Sequence, residues 1–156
     1  MNKRLSISIV LFKPDIIQLK KCLDSIEMDS EYVDTVYLID NDFFDMNKIR
    51  SYQFKIKHIS NVINLGFGTA HNIGINESIS SNIDYHLVLN PDIFFKKKIF
   101  KQIISFMDSN SNVSNLMPNI LNEDGSNQEL SKLLPSPKDK FYRFFSIQNS
   151  SNYILK

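Results

Sequence analysis

Short apolar runs, each stopped by polar or turn-forming residues, alternate with segments of helical period along most of the chain. Residues 5–12 are apolar apart from Ser6 and Ser8, which predicts a central parallel strand covered on both faces. Lys13-Pro14-Asp15 is a turn that starts a helix. Over residues 15–28, Ile16, Leu19, Leu23 and Ile26 recur at steps of three and four. Cys22 lies on the same side and Lys20, Lys21 and Asp24 lie opposite, as in an amphipathic helix laid on a sheet. Residues 35–39 predict a second strand, ending in Asp40-Asn41-Asp42. Residues 54–60 alternate Phe54, Ile56, His58 and Ser60 against Lys55, Lys57 and Ile59, the pattern of a shorter, less buried strand. Residues 61–68 read as a loop and 69–80 as a helix.

The stretch Tyr85-His86-Leu87-Val88-Leu89-Asn90-Pro91-Asp92 predicts another buried, central parallel strand. It stops where Pro91 has no N–H to continue a ladder. Ile99, Phe100, Ile103, Ile104 and Met107 then mark one side of a helix, residues 113–117 a strand ending at Pro118, and Asn122-Glu123-Asp124-Gly125 a turn. Pro135 and Pro137 precede an aromatic segment, Phe141-Tyr142-Arg143-Phe144-Phe145. The order of elements is that of a nucleotide-binding α/β sheet.

Composition narrows the function. A length of 156 residues fits one main domain, and 18 basic against 17 acidic residues give a formal charge of +1, with no bulk attraction for nucleic acid. Cys22 is the one cysteine, which excludes an internal disulfide and a multi-cysteine zinc site. Lys3 and Arg4 before an apolar run superficially resemble a signal peptide. Ser6, Ser8 and the early Lys13 break that pattern, and a cytoplasmic protein is expected. No apolar stretch approaches the ~20 residues that span a bilayer.

Asp92 is the leading candidate for chemistry, because ligands in open α/β sheets bind beyond the C-terminal ends of the strands. One carboxylate beside Asn90 suits a hard divalent ion whose other ligands are water and phosphate. The same three residues, Asn90-Pro91-Asp92, are equally the composition of a plain turn. Asp40-Asn41-Asp42 repeats the arrangement, so the two strand ends are expected side by side over one ligand, unless these acids merely cap their own turn. Gly66 and Gly68 flank Phe67 and permit positive φ or close approach to a ligand, and the following helix offers N–H groups to an anion. The lysine and spacing of a Walker loop are missing. His58, His71 and His86 are dispersed among separate elements and form no metal-ligand motif. No Gly-x-Ser-x-Gly elbow supports covalent hydrolysis. Lys96 to Lys98 read either as a phosphate or lipid contact or as a solvated surface.

Taken together, Ser6-Ile7-Ser8-Ile9-Val10-Leu11-Phe12, Leu38-Ile39-Asp40-Asn41, Asn64-Leu65-Gly66-Phe67-Gly68-Thr69-Ala70-His71-Asn72-Ile73-Gly74-Ile75 and Leu87-Val88-Leu89-Asn90-Pro91-Asp92 resemble glycosyltransferase family 2. Within that family the likeness is to the rhamnosyltransferase-like enzymes of O-antigen (lipopolysaccharide) and capsule assembly. The resemblance implies a GT-A fold, a mostly parallel Rossmann-like sheet with helices on both faces. Residues 1–130 would form the nucleotide-sugar-binding domain and residues 131–156 a tail. It also implies a dTDP- or UDP-sugar donor, a saccharide or polyprenyl-linked acceptor, and Mg²⁺ or Mn²⁺. By that likeness Asp92 is the metal ligand, with Asn90 in place of the first acid of the Asp-x-Asp signature. Asp40 and Asn41 meet the donor base, and Asn64, Gly66, Gly68 and Asn72 line the nucleotide pocket.

The chain departs from the family in one respect. Related enzymes carry a later Glu-Asp-x-Asp-like motif that supplies the base for inverting transfer, and neither Glu129 nor Asp139 stands in such a context. The catalytic base is therefore expected beyond Lys156. The alternative expectation is a non-catalytic remnant acting as an interaction or oligomerisation module, pairing with itself or another subunit. Lys138, Lys140 and Arg143 around the aromatic segment raise a further alternative to packing, peripheral contact with the inner face of a membrane.

Overall fold

The computed structural model describes residues 4–122 and 124–128. The chain divides into two compact units, Met1–Asn112 and Val113–Lys156. Among its described residues the first unit holds four strands and three α-helices: β1 (Leu5–Leu11), α1 (Ile16–Glu27), β2 (Val33–Asp40), β3 (Lys55–Ser60), α2 (Phe67–Ser80), β4 (Tyr85–Leu89) and α3 (Phe100–Ser109). All pairs are parallel, in the order β3-β2-β1-β4. This is the α/β class expected from the sequence.

The two faces of the sheet differ in chemistry because successive strand residues point to opposite sides. Leu5, Ile7, Ile9 and Leu11 pack with Leu19, Leu23 and Ile26 of α1 and Phe100 and Ile104 of α3 in the main core. On the other face Tyr37, Ile39 and Ala70 form a smaller cluster under α2, flanked by Val10, Ile59 and Ile73. Asp15 caps α1, its carboxylate accepting from the N–H groups of Ile17 and Gln18 at 2.8 and 3.2 Å.

The start of α3 is capped from elsewhere. The buried Asp29 carboxylate accepts from the N–H groups of Ile99 and Phe100 at 2.6 and 2.9 Å, across 70 residues of chain. Asp29→Ala is expected to cost about 1–2 kcal/mol in urea denaturation, the size of a lost helix cap, with Asp29→Asn retaining most of it. Arg4 ties the N-terminal edge of the sheet to α3. Its guanidinium donates to Asp84 and Asp108, while the Tyr85 hydroxyl donates to Asp108 at 2.5 Å. The Arg4 contact holds the Asp108 carboxyl below its ordinary range.

Three expectations are corrected. β4 is not central: among the described residues it pairs only with β1 and forms the edge of the sheet, so Val88 is 43% exposed. Its apolar run is explained by one covered face rather than two. α2 begins at Phe67 rather than residue 69, because Gly66 adopts φ +74 and turns the chain directly into the helix. Residues 113–117 form no strand, having no described neighbour to complete a ladder. In that second unit the turn at residues 122–125 is present. The Gly125 N–H donates to the Asn122 carbonyl at 2.9 Å and Leu121 bridges Asn127. The expected tail, residues 131–156, and the aromatic segment at 141–145 lie outside the described residues. Among the described residues no helix is long and apolar enough to cross a membrane.

Candidate functional site

Because all four strands are parallel, the segments that leave their C-terminal ends gather along one edge. They are residues 12–15, 41–45, 61–66 and 90–95. From β1 the chain steps outward to β2 and β3, then returns across the sheet to β4 on the other side of β1. The crevice between β1 and β4 is thus the point where strand order reverses, the place such sheets bind ligands. Asp92 stands at that point. It is exposed, and its carboxylate accepts no hydrogen bond from any described residue. Its charge is felt at buried Cys22, whose thiol burial, and then Asp92, push up to about 12. Cys22 is accordingly an inert core thiol.

The expectation that Asp40 and Asp92 lie side by side is corrected by the topology. β1 separates their strands, so the two ends stand about 10 Å apart at ordinary strand spacing. Asp40 is itself wholly buried. Its carboxylate accepts from the N–H groups of Asp42 and Phe44, at 2.8 and 2.6 Å, and from His58 Nε2 at 3.1 Å. These bonds hold the turn that leaves β2.

Beside it the amide of Asn41 donates to Asn64 Oδ1 at 3.1 Å and accepts from Asn61 Nδ2 at 2.8 Å. Asn64 Oδ1 also accepts from the Gly66 N–H at 2.8 Å. Asn41, Asn64 and Gly66 are therefore joined directly, linking the end of β2 to the start of α2. Asn61, part of the same chain of amides, escaped the sequence reading. Gly68 and Asn72 lie exposed on the first turns of α2, and no atom lies within 4 Å of where a Gly68 side chain would begin. Asn90 is exposed beside Asp92 on the far side of β1.

Among the described residues no group of three or more His, Cys, Asp or Glu side chains is placed to hold a metal. A free, exposed carboxylate with an amide beside it fits the expected Mg²⁺ or Mn²⁺ only as a shared ion, with phosphate and water supplying the remaining ligands. Lys98 pairs with Glu31 at 3.1 Å, which accounts for part of the lysine run.

A second constellation was not anticipated. Ser6 and Ser8, the two polar breaks in β1, face α2, and His71 and His86 converge on them. Ser8 Oγ lies 2.7 Å from His71 Nδ1 and 2.8 Å from His86 Nε2, while Ser6 Oγ lies 2.8 Å from His86 Nδ1 and 2.6 Å from Ser78 Oγ. With both rings neutral, the proton chain runs without conflict in either direction, one of them as follows. His71 Nδ1–H donates to Ser8, Ser8 to His86 Nε2, His86 Nδ1–H to Ser6, and Ser6 to Ser78. In either direction His71 Nε2 is left buried without a partner among the described residues. Burial lowers His71, and burial followed by the field of His71 lowers His86 to about 4. Serines at alternate positions of an otherwise apolar strand were the available signal.

No family model matches the chain, and no curated protein matches it significantly. Among solved structures, the crystal structure of S. aureus TarS is similar, with a TM-score of 0.55 and 14% identity over 77% of this chain. The chain spans about a quarter of the length of TarS, 24%. At that identity the likeness is one of fold. The protein shares with part of TarS a Rossmann-like α/β fold, with a four-stranded parallel sheet among the described residues.

Proposed function

We propose that this chain is the donor-binding part of a family 2 glycosyltransferase that holds a dTDP- or UDP-sugar with Mg²⁺ or Mn²⁺. The observation that carries the reading is the free Asp92 carboxylate at the switch point of the sheet, with the linked Asn41, Asn64 and Gly66 on the other side of β1. In this reading the nucleoside lies over the ends of β1 and β2, and the diphosphate reaches toward Asp92. The linked amides fix the shape of the loop against which the nucleoside rests. Asp40 contributes by rigidifying that edge, since its oxygens already accept three hydrogen bonds. A divalent ion held by Asp92 beside Asn90 would neutralise charge on the departing nucleoside diphosphate. Inverting transfer to a saccharide or polyprenyl-linked hydroxyl needs a further carboxylate as base. O-antigen or capsule assembly, with a rhamnosyltransferase-like specificity, is the corresponding process.

Calorimetry with UDP and dTDP, with and without Mn²⁺, tests the proposal. Metal-dependent binding is expected, weakened about tenfold or more in Asp92→Ala, which corresponds to about 1.4 kcal/mol or more. Binding that ignores both the metal and the substitution would overturn the assignment.

One observation favours a second reading, an interaction module. β4 leaves one ladder edge unpaired among the described residues and exposes Val88, and such edges accept further strands. Sedimentation at increasing concentration decides it, a monomer throughout counting against self-association.

A further inference from the structure

We propose that Lys13 is a diphosphate-binding residue, its ammonium meeting the anionic part of the ligand at the crevice between β1 and β4. The inference rests on the nucleotide reading above and goes beyond it, because it assigns a cation of the protein to work otherwise left to the metal alone.

The charge along the strand-end edge motivates it. In the described segments 12–15, 41–45, 61–66 and 90–95 the charged residues are Lys13, Asp15, Asp42, Asp45 and Asp92. Lys13 is the cation nearest the C-terminal end of a strand; Lys96, Lys97 and Lys98 follow at least seven residues beyond β4. Two of the aspartates are engaged locally: Asp15 caps α1, and Asp45 accepts from the Asn47 N–H at 3.0 Å. Asp42 and Asp92 remain as exposed anions, so a diphosphate approaching this edge meets net negative charge. Lys13 offsets part of it at the site itself.

Lys13 is also placed and free to act. It follows β1 with one residue between, and β1 is the strand flanked by both β2 and β4. Arg4, Arg50, Lys57 and Lys98 are all held in ion pairs, whereas Lys13 makes none among the described residues. Its Nζ lies 5.5 Å from the centre of the Phe12 ring, an exposed contact that a stronger anion would replace.

The backbone supplies the third observation. Lys13 has φ +48, in the left-handed region that a lysine side chain disfavours, and it precedes Pro14, whose ring further restricts the residue before it. Glycine or asparagine would relieve that strain, yet the position carries a long cation. Strain of this kind is held in place by its surroundings and concentrates at ligand sites. Here it turns the chain out of β1 two residues past that strand's C-terminal end.

Inorganic pyrophosphate and UDP are the probes, titrated by calorimetry in EDTA and again with Mn²⁺, using wild type, Lys13→Gln and Lys13→Gly. Both variants are expected to bind pyrophosphate and UDP about tenfold more weakly in EDTA, while uridine, which lacks phosphate, distinguishes none of the three proteins. Lys13→Gly should melt no lower than wild type because glycine accepts the positive φ. Equal UDP or pyrophosphate affinity in wild type and Lys13→Gln would overturn the role of Lys13 while leaving the nucleotide reading intact. A wild type that binds neither probe under any condition would overturn both.

Discussion

Gly74→Ala is expected to destabilise the protein by about 3 kcal/mol, measured as a lower midpoint in urea denaturation. A β-carbon at residue 74 would lie 2.7 Å from Ser8 Cβ, closer than carbon atoms approach, and 3.6 Å from the His86 ring. Ser8 cannot yield, because β1 is held in register by β2 on one side and β4 on the other. The helix must move instead. That movement breaks the short contacts from Ser8 to His71 and from Ser6 to Ser78, so the cost is steric overpacking together with a disrupted buried polar chain. Gly68→Ala is the matched control on the same helix. It meets open space and has ordinary helical backbone, and removing a helical glycine should gain about 0.5–1 kcal/mol. Equal effects of the two substitutions would show that α2 does not pack on β1 as described.

Acidification should produce the second large effect. His86 is held neutral in the fold, its value lowered from 6.5 to about 4 by burial and then by the nearby His71, which is lowered in the same direction. Between these values the unfolded chain binds more protons than the folded one, so stability rises with pH across the window. The contribution is complete above about pH 6.5 and lost as the pH falls toward 4. For His86 it amounts to on the order of 3 kcal/mol.

Among the described residues the groups around this cluster are few. Ser6 and Ser8 come from β1 and Tyr37 from β2, stacked 6.4 Å from His86. Lys57 comes from β3 and pairs with Glu77 of α2, and α2 also supplies His71 and Ser78. None of these is an unpaired carboxylate able to stabilise an imidazolium. Urea midpoints between pH 7.5 and 4.5 test the prediction. The slope should flatten in His86→Gln, although that variant is less stable at neutral pH. An unchanged slope would place the acid sensitivity elsewhere.

The two effects share one origin, the seam between β1, β4 and α2, which adjoins the candidate site. α2 carries Gly68 and Asn72 on its first turns and is joined through Gly66 and Asn64 to Asn41. Loosening that seam by an added methyl or an added proton would therefore also disturb the proposed nucleotide pocket, without touching Asp92 or Lys13.

Much of the local structure was legible in the order of residues. α1 and the turn that starts it, the strands β1 and β2, the stop at Pro91 and the turn at residues 122–125 each follow from interactions within a few residues, where periodicity and turn geometry act. The α/β class followed from their alternation, and Asp40, Asn41, Asn90 and Asp92 were read at strand ends, where they lie, whereas Gly68, read as loop, lies in the first turn of α2. What tertiary structure alone decided involves partners distant in sequence. β4 lies at an edge because its covered side is β1. Asp29 is a helix cap because α3 lands above it 70 residues later. Asp40 is turned inward by His58 and by the turn it closes, and His71 and His86 meet on one serine although nothing in their spacing announces it. A local pattern records which side of an element is apolar; which element covers that side, and hence which polar groups share a hydrogen bond, is settled only when the sheet is assembled.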